Sequence, residues 1–415
     1  MKRKIGDYEL LPYSLALLAM LMVAFPNLLL IGIICIVIAL INVYRAKGLQ
    51  FRFSWLNSFF VLFYLAYLVG VIYTSNEEWA YRYLEYKLSF IIFPILFSFI
   101  QGNKKELIRI PILGLILGVC IVIIIGVFNA FDCYYAGGQF CFYSTGISPV
   151  HHPTYFSVYM LFGSVAIWYG FINKWNSYKL YWIIPFTAVA ILFHYLCLSL
   201  AGILFLTLVI GISIIVLIKR RFGMRAAFFL ILFFPILTYF LILKIPVIEG
   251  EWNGAKWYAD RYIENPGEFV SSRSESMSGS EARLVMWTVA YQQFVDQPLG
   301  VGTGNVDEAL SKKLFEFNQQ EFAHKNLNPH NQFLQTAVEI GVIGLLLLLG
   351  VIFYSVFYSI KNRNWLLLLL IGSLAFNSLF ESMLQRQSGI VFYTFWICLL
   401  ASTLVSEKSK IKAQE

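Results

Sequence analysis

"NQFLQTAVEIGVIGLLLLLGVIFYSVFY", residues 331–358, is an apolar run long enough to cross a bilayer as a helix. Similar runs recur along the whole chain, which is 59% hydrophobic, 18% aromatic and only 13% charged. Soluble domains are about 45–50% apolar and about 25% charged. The runs are continuously apolar and do not alternate, which excludes a membrane β-barrel. The sequence therefore predicts an all-α polytopic membrane protein.

About twelve transmembrane helices are predicted from these runs. Helices one to nine occupy 1–244, a large extracytoplasmic loop occupies 245–330, and helices ten to twelve with a short cytoplasmic tail occupy 331–415. The basic N-terminus resembles a signal sequence, but a second span follows at once without a cleavage site, so we expect an uncleaved anchor. The predicted spans lie near 10–25, 27–44, 55–74, 86–101, 110–131, 153–172, 181–197, 200–218, 225–243, 331–358, 365–380 and 388–405.

The distribution of Lys and Arg predicts the orientation. Short loops on one side of the predicted bundle, such as 45–52, 104–109 and 219–225, are rich in basic residues. The positive-inside rule places these loops and both termini in the cytoplasm. The net charge of +8 therefore reflects the orientation of the chain in the membrane. It is not a nucleic-acid footprint, because the cations are scattered over separate loops.

Two of the six cysteines, Cys133 and Cys141, share a predicted outer loop and stand eight residues apart. A disulfide between them fits an oxidising compartment, and a pair of free thiols is the open alternative. The other four cysteines fall within predicted spans, where a thiol behaves as a small apolar residue.

The predicted extracytoplasmic loop contains one amphipathic helix. Its Ser-rich stretch, 271–281, has the composition of mobile chain. The apolar pattern of residues 281–297 then predicts a helix on the outer membrane surface. Ser278 and Glu281 have the spacing of a capping box at its start. The apolar residues at three- and four-residue steps along it are Leu284, Trp287, Tyr291 and Phe294.

A glycine-rich turn, Gly300, Gly302 and Gly304, follows that helix. The pattern is not a dinucleotide fingerprint, because it follows a helix and not a strand. Gly302 and Gly304 are candidates for substrate binding through their backbone N–H groups. The alternative is that all three glycines only form a tight turn.

His330 is the first candidate for chemistry. Asn328 can cap a helix and Pro329 suits the first turn, which predicts His330 in the opening turn of span ten, where the helix dipole favours anions. Asn331 beside it is a candidate substrate-binding residue. The alternative is an interfacial histidine that only bonds a neighbour. Residues predicted on the same face of the helix as His330 are Ala337, Gly341, Gly344 and Leu348.

Arg283, at the start of the predicted surface helix, is the second candidate. A guanidinium binds phosphate oxygens through two parallel N–H bonds, which suits a pyrophosphate. The alternative is an arginine whose stem lies along the membrane surface with its charge in water.

Further polar residues are predicted at the same outer boundary. His151 and His152 precede span six, and Glu381 and Arg386 lie between the last two spans. We predict that they bind substrate at a shared mouth. No ligands that would complete a metal site with the two histidines are evident, and mutual pairing of Glu381 with Arg386 is the alternative to a binding role.

The motifs resemble those of the O-antigen ligase family. The resemblance rests on His330-Asn331 followed after nine residues by Gly341-x-x-Gly344, and on Arg283 with Trp287 leading into the glycine turn. It is strongest over 281–344. The family includes O-antigen ligases, O-antigen polymerases and protein O-oligosaccharyltransferases.

The resemblance implies a membrane-embedded (GT-C-like), metal-independent glycosyltransferase without a cofactor. The donor would be a glycan on undecaprenyl pyrophosphate, and the acceptor lipid A–core or a similar glycan. The protein would lie in the bacterial inner membrane, with its active site facing the periplasm. His330 would act as general base and Arg283 would bind the pyrophosphate. In many relatives a second arginine follows a serine in a middle span, whereas this chain has Ser199-Leu200-Ala201, and Arg386 is our first candidate to replace it.

Two other functions remain open from the sequence. A polymerase that joins lipid-linked repeat units shares the same architecture. A polysaccharide or lipid transporter is the alternative from another class, although charged residues within the predicted spans are scarce for an ion-coupled carrier.

Overall fold

The computed structural model describes residues 10–47, 50–100, 105–175, 178–224, 246–272, 279–324 and 327–403, and the secondary structure in these ranges is entirely helical. Of the predicted spans, 225–243 lies outside the described residues, 86–101 overlaps only a short helix, and each of the others overlaps an apolar helix. The helices are α1 Leu10–Ala24, α2 Leu29–Lys47, α3 Trp55–Gly70, α4 Glu77–Lys87, α5 Ser89–Ser98, α6 Glu106–Tyr135, α7 Pro153–Ile172, α8 Leu180–Leu196, α9 Leu200–Phe222, α10 Pro246–Glu264, α11 Pro266–Ser271, α12 Gly279–Asp296, α13 Val306–Glu316, α14 Gln320–His324, α15 Gln332–Asn362, α16 Trp365–Asn377 and α17 Gln387–Thr403.

Four stretches of the described chain are long and apolar enough to cross a membrane: Pro26–Arg45, Glu106–Tyr135, Pro153–Ile172 and Gln332–Asn362. Six further apolar helices are shorter. The predicted span 86–101 is the ten-residue helix α5, with Pro94 inside it, which is shorter than a bilayer crossing requires. The chain is therefore a multi-pass membrane protein whose described secondary structure is all helical, and α5 alone does not form the span predicted there.

The apolar helices pack into one bundle with a continuous buried core. α1 packs along α6, α3 along α15, and α17 against α5 and α16. Gly114 of α6 lies directly on the backbone of Ala16 in α1, where an added Cβ would clash with the Ala16 carbonyl. Small residues at such a crossing let two membrane helices approach closely.

Residues 246–272 and 279–324 form a second, smaller unit on the end of the bundle where α15 begins. Its core includes Phe269, Val285, Val289 and Leu310, and it shares Val338 with α15. The predicted helix 281–297 is α12, and the side chains buried in this core lie on its other face. Along the predicted apolar face, Trp287 is half-buried and Tyr291 is exposed.

The structure corrects the prediction of one regular helix through the start of span ten. α15 is broken at Ile340 and Gly341, which have non-helical backbone angles. The helix begins at Gln332 and is capped by Asn331, so Asn328 is not its cap and His330 precedes it. The face predicted to run from His330 to Leu348 is consequently interrupted. The reason is a tertiary contact with the glycine turn, described below.

Cys133 and Cys141 form a disulfide, with their Cα atoms 5.6 Å apart. Of the two alternatives left by the sequence, a disulfide or a pair of free thiols, the structure has the disulfide. The loop that it closes connects α6 to a short 3₁₀ helix, Ser144–Gly146, and Asn129 of α6 donates a hydrogen bond to the Gly146 carbonyl (2.8 Å). The disulfide therefore lies at the same end of the bundle as the start of α7.

Candidate functional site

His330 lies on a turn that two asparagines shape. The Asn328 side chain accepts the His330 N–H (2.9 Å), and Asn331 accepts the N–H groups of Phe333 (2.9 Å) and Leu334 (3.1 Å) at the start of α15. Asparagine side chains commonly bond backbone two or three residues ahead in this way. His330 itself has φ +45°, a left-handed backbone that non-glycine residues seldom adopt. The turn presents the imidazole ahead of the helix.

The imidazole of His330 is held by Glu381. Nδ1 lies 3.2 Å from Oε2 of Glu381, and the His330 side chain is 29% exposed against 9% for Glu381. The other carboxylate oxygen accepts the N–H of Ser382 (3.1 Å). An ionised Glu381 can only accept, so Nδ1 carries the proton in this contact and Nε2 is left as the acceptor in the neutral ring.

Glu381 is ionised although it is buried. Burial acts to raise the pKa of its carboxyl group. The hydrogen bond and charge of His330, the charge of His152 and the N–H of Ser382 outweigh that effect and hold the pKa below its usual value. A carboxylate that remains charged beside an imidazole is the arrangement that orients a histidine base.

A cavity of about 310 Å³ opens beside this pair, between the starts of α7, α9 and α12. Arg283 and Gly279 of α12 line one side, and the junction from α8 to α9 lines another. Phe380, the sequence neighbour of Glu381, also contributes to the wall, and His152 of the lining is close enough to be affected by the charges of Glu381 and His330. The cavity therefore lies next to the His330–Glu381 pair, although neither residue of the pair is part of its lining. The complete lining is Ser144, His152, Pro153, Thr154, Cys197, Leu198, Ser199, Leu200, Ala201, Ile203, Leu204, Gly279, Arg283 and Phe380.

Two nitrogen atoms of the lining residues are buried without a hydrogen-bond partner among the described residues: Nε of Arg283 and Nδ1 of His152. Burial lowers the pKa of His152 below its ordinary value. The charge of Glu381 opposes this effect, and the positive charges of Arg386, His330 and Arg283 add to it. These five side chains are thus close enough to act on one another electrostatically, and because two of them are arginines and one is a carboxylate, the net charge beside the cavity is positive.

Three other residues that the sequence predicted for the site, His151, Asn331 and Arg386, do not line the cavity. His151 is buried, with Nδ1 2.9 Å from Ser388 Oγ and Nε2 2.7 Å from the Val23 carbonyl, so both nitrogens are occupied by α1 and α17. Asn331, besides capping α15, donates to the Leu379 carbonyl (3.3 Å). Arg386 is exposed at the site's edge.

The glycine turn packs against backbone at the break in α15. Val301 and Gly302 donate their N–H groups to the carbonyls of Val338 (2.8 Å) and Glu339 (3.1 Å), and Val342 donates to Pro298 (2.9 Å). These bonds satisfy the polar groups that the break would leave unpaired.

Each glycine of the turn has positive φ, from +90° to +97°. An added Cβ on Gly302 would lie 3.0 Å from the Gly70 carbonyl, and one on Gly304 would lie 2.6 Å from the Ala80 nitrogen. Neither glycine lines the cavity.

Sequence reasoning missed the wall formed by the α8–α9 junction, apart from Leu200. Ser199 caps α9 by accepting the N–H of Gly202 (3.2 Å), and its hydroxyl donates to Thr154 (3.2 Å). A serine directly before an apolar run was the available signal for a helix start. Leu200, where the resemblance led us to look for a second arginine, lines the cavity directly. Within the described ranges, no group of three or more His, Cys, Asp or Glu residues could hold a metal ion.

Comparison with known proteins agrees with the motifs. Residues 185–349 match the family model described as O-antigen ligase. An "Uncharacterized protein" of Haemophilus influenzae is 30% identical over 160 residues, covering 35% of this chain and 37% of that protein. A "Putative polysaccharide ligase" of Rickettsia conorii is 24% identical over 160 residues (37% and 35%), and one of Rickettsia bellii is 25% identical over 142 residues (34% and 31%).

The match spans about a third of the length of each of these relatives. The family model covers the part of the chain in which most of the predicted motifs lie. Over residues 185–349, which hold Arg283, the glycine turn and His330, the resemblance to the O-antigen ligase family is confirmed.

Proposed function

We propose that the protein is a glycosyltransferase that moves a glycan from undecaprenyl pyrophosphate to a hydroxyl group of lipid A–core or a similar acceptor. One observation carries the proposal: unpartnered nitrogens of Arg283 and His152 belong to the lining of a cavity that adjoins the His330–Glu381 pair. An unpartnered guanidinium N–H, beside an imidazole that can also donate when its Nδ1 carries the proton, matches the oxygens of a pyrophosphate. The family match over 185–349 supports this class of reaction.

In the proposed reaction His330 is the general base. Its Nε2 takes the proton of the acceptor hydroxyl while the acceptor oxygen forms a bond to the anomeric carbon of the donor. The bond from that carbon to the phosphate oxygen breaks, and undecaprenyl pyrophosphate leaves with the bonding electron pair. Glu381 keeps the proton of His330 on Nδ1 and stabilises the imidazolium that forms.

Arg283 stabilises the leaving group. Its guanidinium faces the cavity and can bind two phosphate oxygens at once, which places positive charge where negative charge develops in the transition state. The glycosyl–phosphate bond that breaks supplies the driving force, so the proposed step needs neither a nucleotide nor a metal ion. Leu200 offers no charge, and we assign the second positive charge to Arg386, which already acts electrostatically on His152.

We place the site on the periplasmic face of the inner membrane. The Cys133–Cys141 disulfide lies at the same end of the bundle, and Ser144 from the segment just beyond it lines the cavity. Disulfides persist in oxidising compartments such as the periplasm. The positive-inside distribution of Lys and Arg assigns the same orientation.

The first test is transfer in a strain that lacks the endogenous protein and expresses single variants. We expect His330→Ala to abolish attachment of long glycan to lipid A–core, and Arg283→Lys to reduce it roughly 10- to 100-fold because Lys loses the planar fork. His324→Ala and Arg261→Lys, exposed residues of α14 and α10, are matched controls that leave transfer unchanged. Normal attachment with His330→Ala at parental expression would refute the proposal.

The glycan profile of the deletion strain separates the alternatives. A ligase is supported when polymer accumulates on the lipid carrier while lipid A–core lacks long chains. Lipid A–core carrying single repeat units would instead assign the protein as a polymerase. An unchanged profile would favour a transporter and contradict both transferase functions.

A further inference from the structure

A buried pair of opposite charges lies at the break in α15. Lys87, the last residue of α4, and Glu339, directly before the break, are both 0% exposed, with Nζ 3.8 Å from Oε1. The ammonium group also lies over the rings of Tyr67 (4.3 Å) and Tyr83 (4.9 Å). Neither charged residue lines the cavity, so the proposed reaction does not account for them.

The geometry of the pair is poor for stability alone. The separation of 3.8 Å exceeds the roughly 2.7–2.9 Å of a charge-assisted hydrogen bond. Nζ of Lys87, both carboxylate oxygens of Glu339 and the side-chain amide of Gln335 have no hydrogen-bond partner among the described residues. Apolar side chains of similar volume would commonly hold such helices together as well or better, because they avoid the cost of desolvating two charges.

The pair lies at one end of the segment that directly follows His330. This segment, 331–339, begins beside His330 and ends at Glu339. The backbone of Glu339 accepts a bond from Gly302, in the turn that continues from the helix of Arg283. The break then separates the segment from the part of α15 that continues across the bundle.

We propose that Lys87 and Glu339 are positioning residues that fix the 331–339 segment, and with it His330, relative to Arg283. The inference rests on the proposed roles of His330 and Arg283. The attraction between the two charges holds the end of the segment to α4, while the glycine turn holds its backbone to the chain that follows Arg283. Because the break uncouples the segment from the rest of α15, these contacts act together with the Glu381 contact to set where the imidazole stands.

The test uses the full chain in nanodiscs with an undecaprenyl-pyrophosphate-linked glycan and lipid A–core. Lys87→Met and Glu339→Gln each remove one charge, and the double variant Lys87→Met/Glu339→Met makes the contact apolar. Lys313→Met is the control, because Lys313 also forms ion pairs, with Asp296 (2.7 Å) and Glu316 (2.8 Å), but lies in α13 near the surface. Measured quantities are kcat, KM for the donor, the melting temperature and the Kd for undecaprenyl pyrophosphate alone.

We expect the single variants and the double variant to lower kcat roughly 10- to 100-fold, because a displacement of about 1 Å in a reacting group can have such an effect. KM and Kd stay within about threefold of the parent, since Arg283 and the cavity are intact. The double variant melts at or above the parental temperature. A double variant with parental kcat would show that the charges only pack the helices, and would overturn the inference.

Two further variants keep the inference testable if the apolar forms do not fold. Lys87→Arg and Glu339→Asp retain both charges but change their reach, and we expect a lower kcat at unchanged KM in each. Parental kcat in both would also overturn it. Parental turnover in His330→Ala would refute the proposed function itself, whereas an inactive His330→Ala with a parental double variant would refute only the positioning role.

Discussion

His330 has a backbone conformation that residues other than glycine seldom adopt, and contacts with its neighbours stabilise it. A left-handed φ of +45° for a non-glycine residue costs on the order of 1–3 kcal/mol. Here Asn328 accepts its N–H and Glu381 holds its ring. Since the contact to Glu381 occupies Nδ1, the same interaction that fixes the ring also selects which nitrogen remains basic.

The substitution Glu381→Gln tests this selection. The amide that it introduces can donate to Nδ1 and favour the opposite tautomer, so we expect kcat to fall by on the order of 10²–10⁴-fold. Initial rates of glycan transfer to lipid A–core measure the effect. Glu268→Gln, at an exposed carboxylate of α11, is the matched control. A parental rate for Glu381→Gln would show that the contact does not orient the base.

Much of the site at this scale could be predicted from residue types. His330, Arg283, Glu381, Arg386 and His152 are all polar or charged groups at a predicted membrane boundary, and the structure brings them together. The neighbouring His151, predicted on the same grounds, has both nitrogens bonded inside the bundle. The sequence alone could not separate the two adjacent histidines, because their difference depends on which helices pack beside each one.

At the scale of elements, the break in α15 is the feature that periodicity could not predict. Residues 331–358 have the composition of one continuous span, but Gly341 has φ +68° and ψ −163°. Backbone bonds to the chain around the glycine turn, which lies well before α15 in the sequence, offset the loss of helical bonds. A helix break that depends on a distant partner leaves no local signal beyond a glycine.

Gly341→Ala is expected to destabilise the protein by about 2 kcal/mol or more, because this region of backbone conformation is essentially restricted to glycine. The added Cβ would also clash with the backbone of Leu299. Gly250→Ala is the control: it lies in α10, has no atom near the position of an added Cβ, and should be neutral or slightly stabilising. Thermal unfolding in detergent measures both. Equal melting temperatures would contradict the role of Gly341.

At the scale of the molecule, an apolar bundle carries a small helical unit at the end where the site lies. Composition and hydropathy predicted the bundle, because lipid-facing helices must be apolar all along their length. They predicted 245–330 only as a loop with one helix. The described part of this segment has its own core, joined to the bundle through Val338, which the sequence did not indicate because its apolar residues are sparse and spread over five helices.

The orientation of the whole molecule gives the last prediction. α7 has 20 residues, so its ends are about 30 Å apart, close to the thickness of a bilayer core. His152 and the disulfide lie at one end, and Lys174 follows the other. With the remaining cysteines replaced, we expect a membrane-impermeant maleimide to label Cys133 and Cys141 in spheroplasts only after an impermeant reductant has been added. A cysteine introduced by Lys174→Cys should react only after permeabilisation. The reverse pattern would place the cavity in the cytoplasm, where a disulfide does not persist and a periplasmic acceptor cannot reach His330.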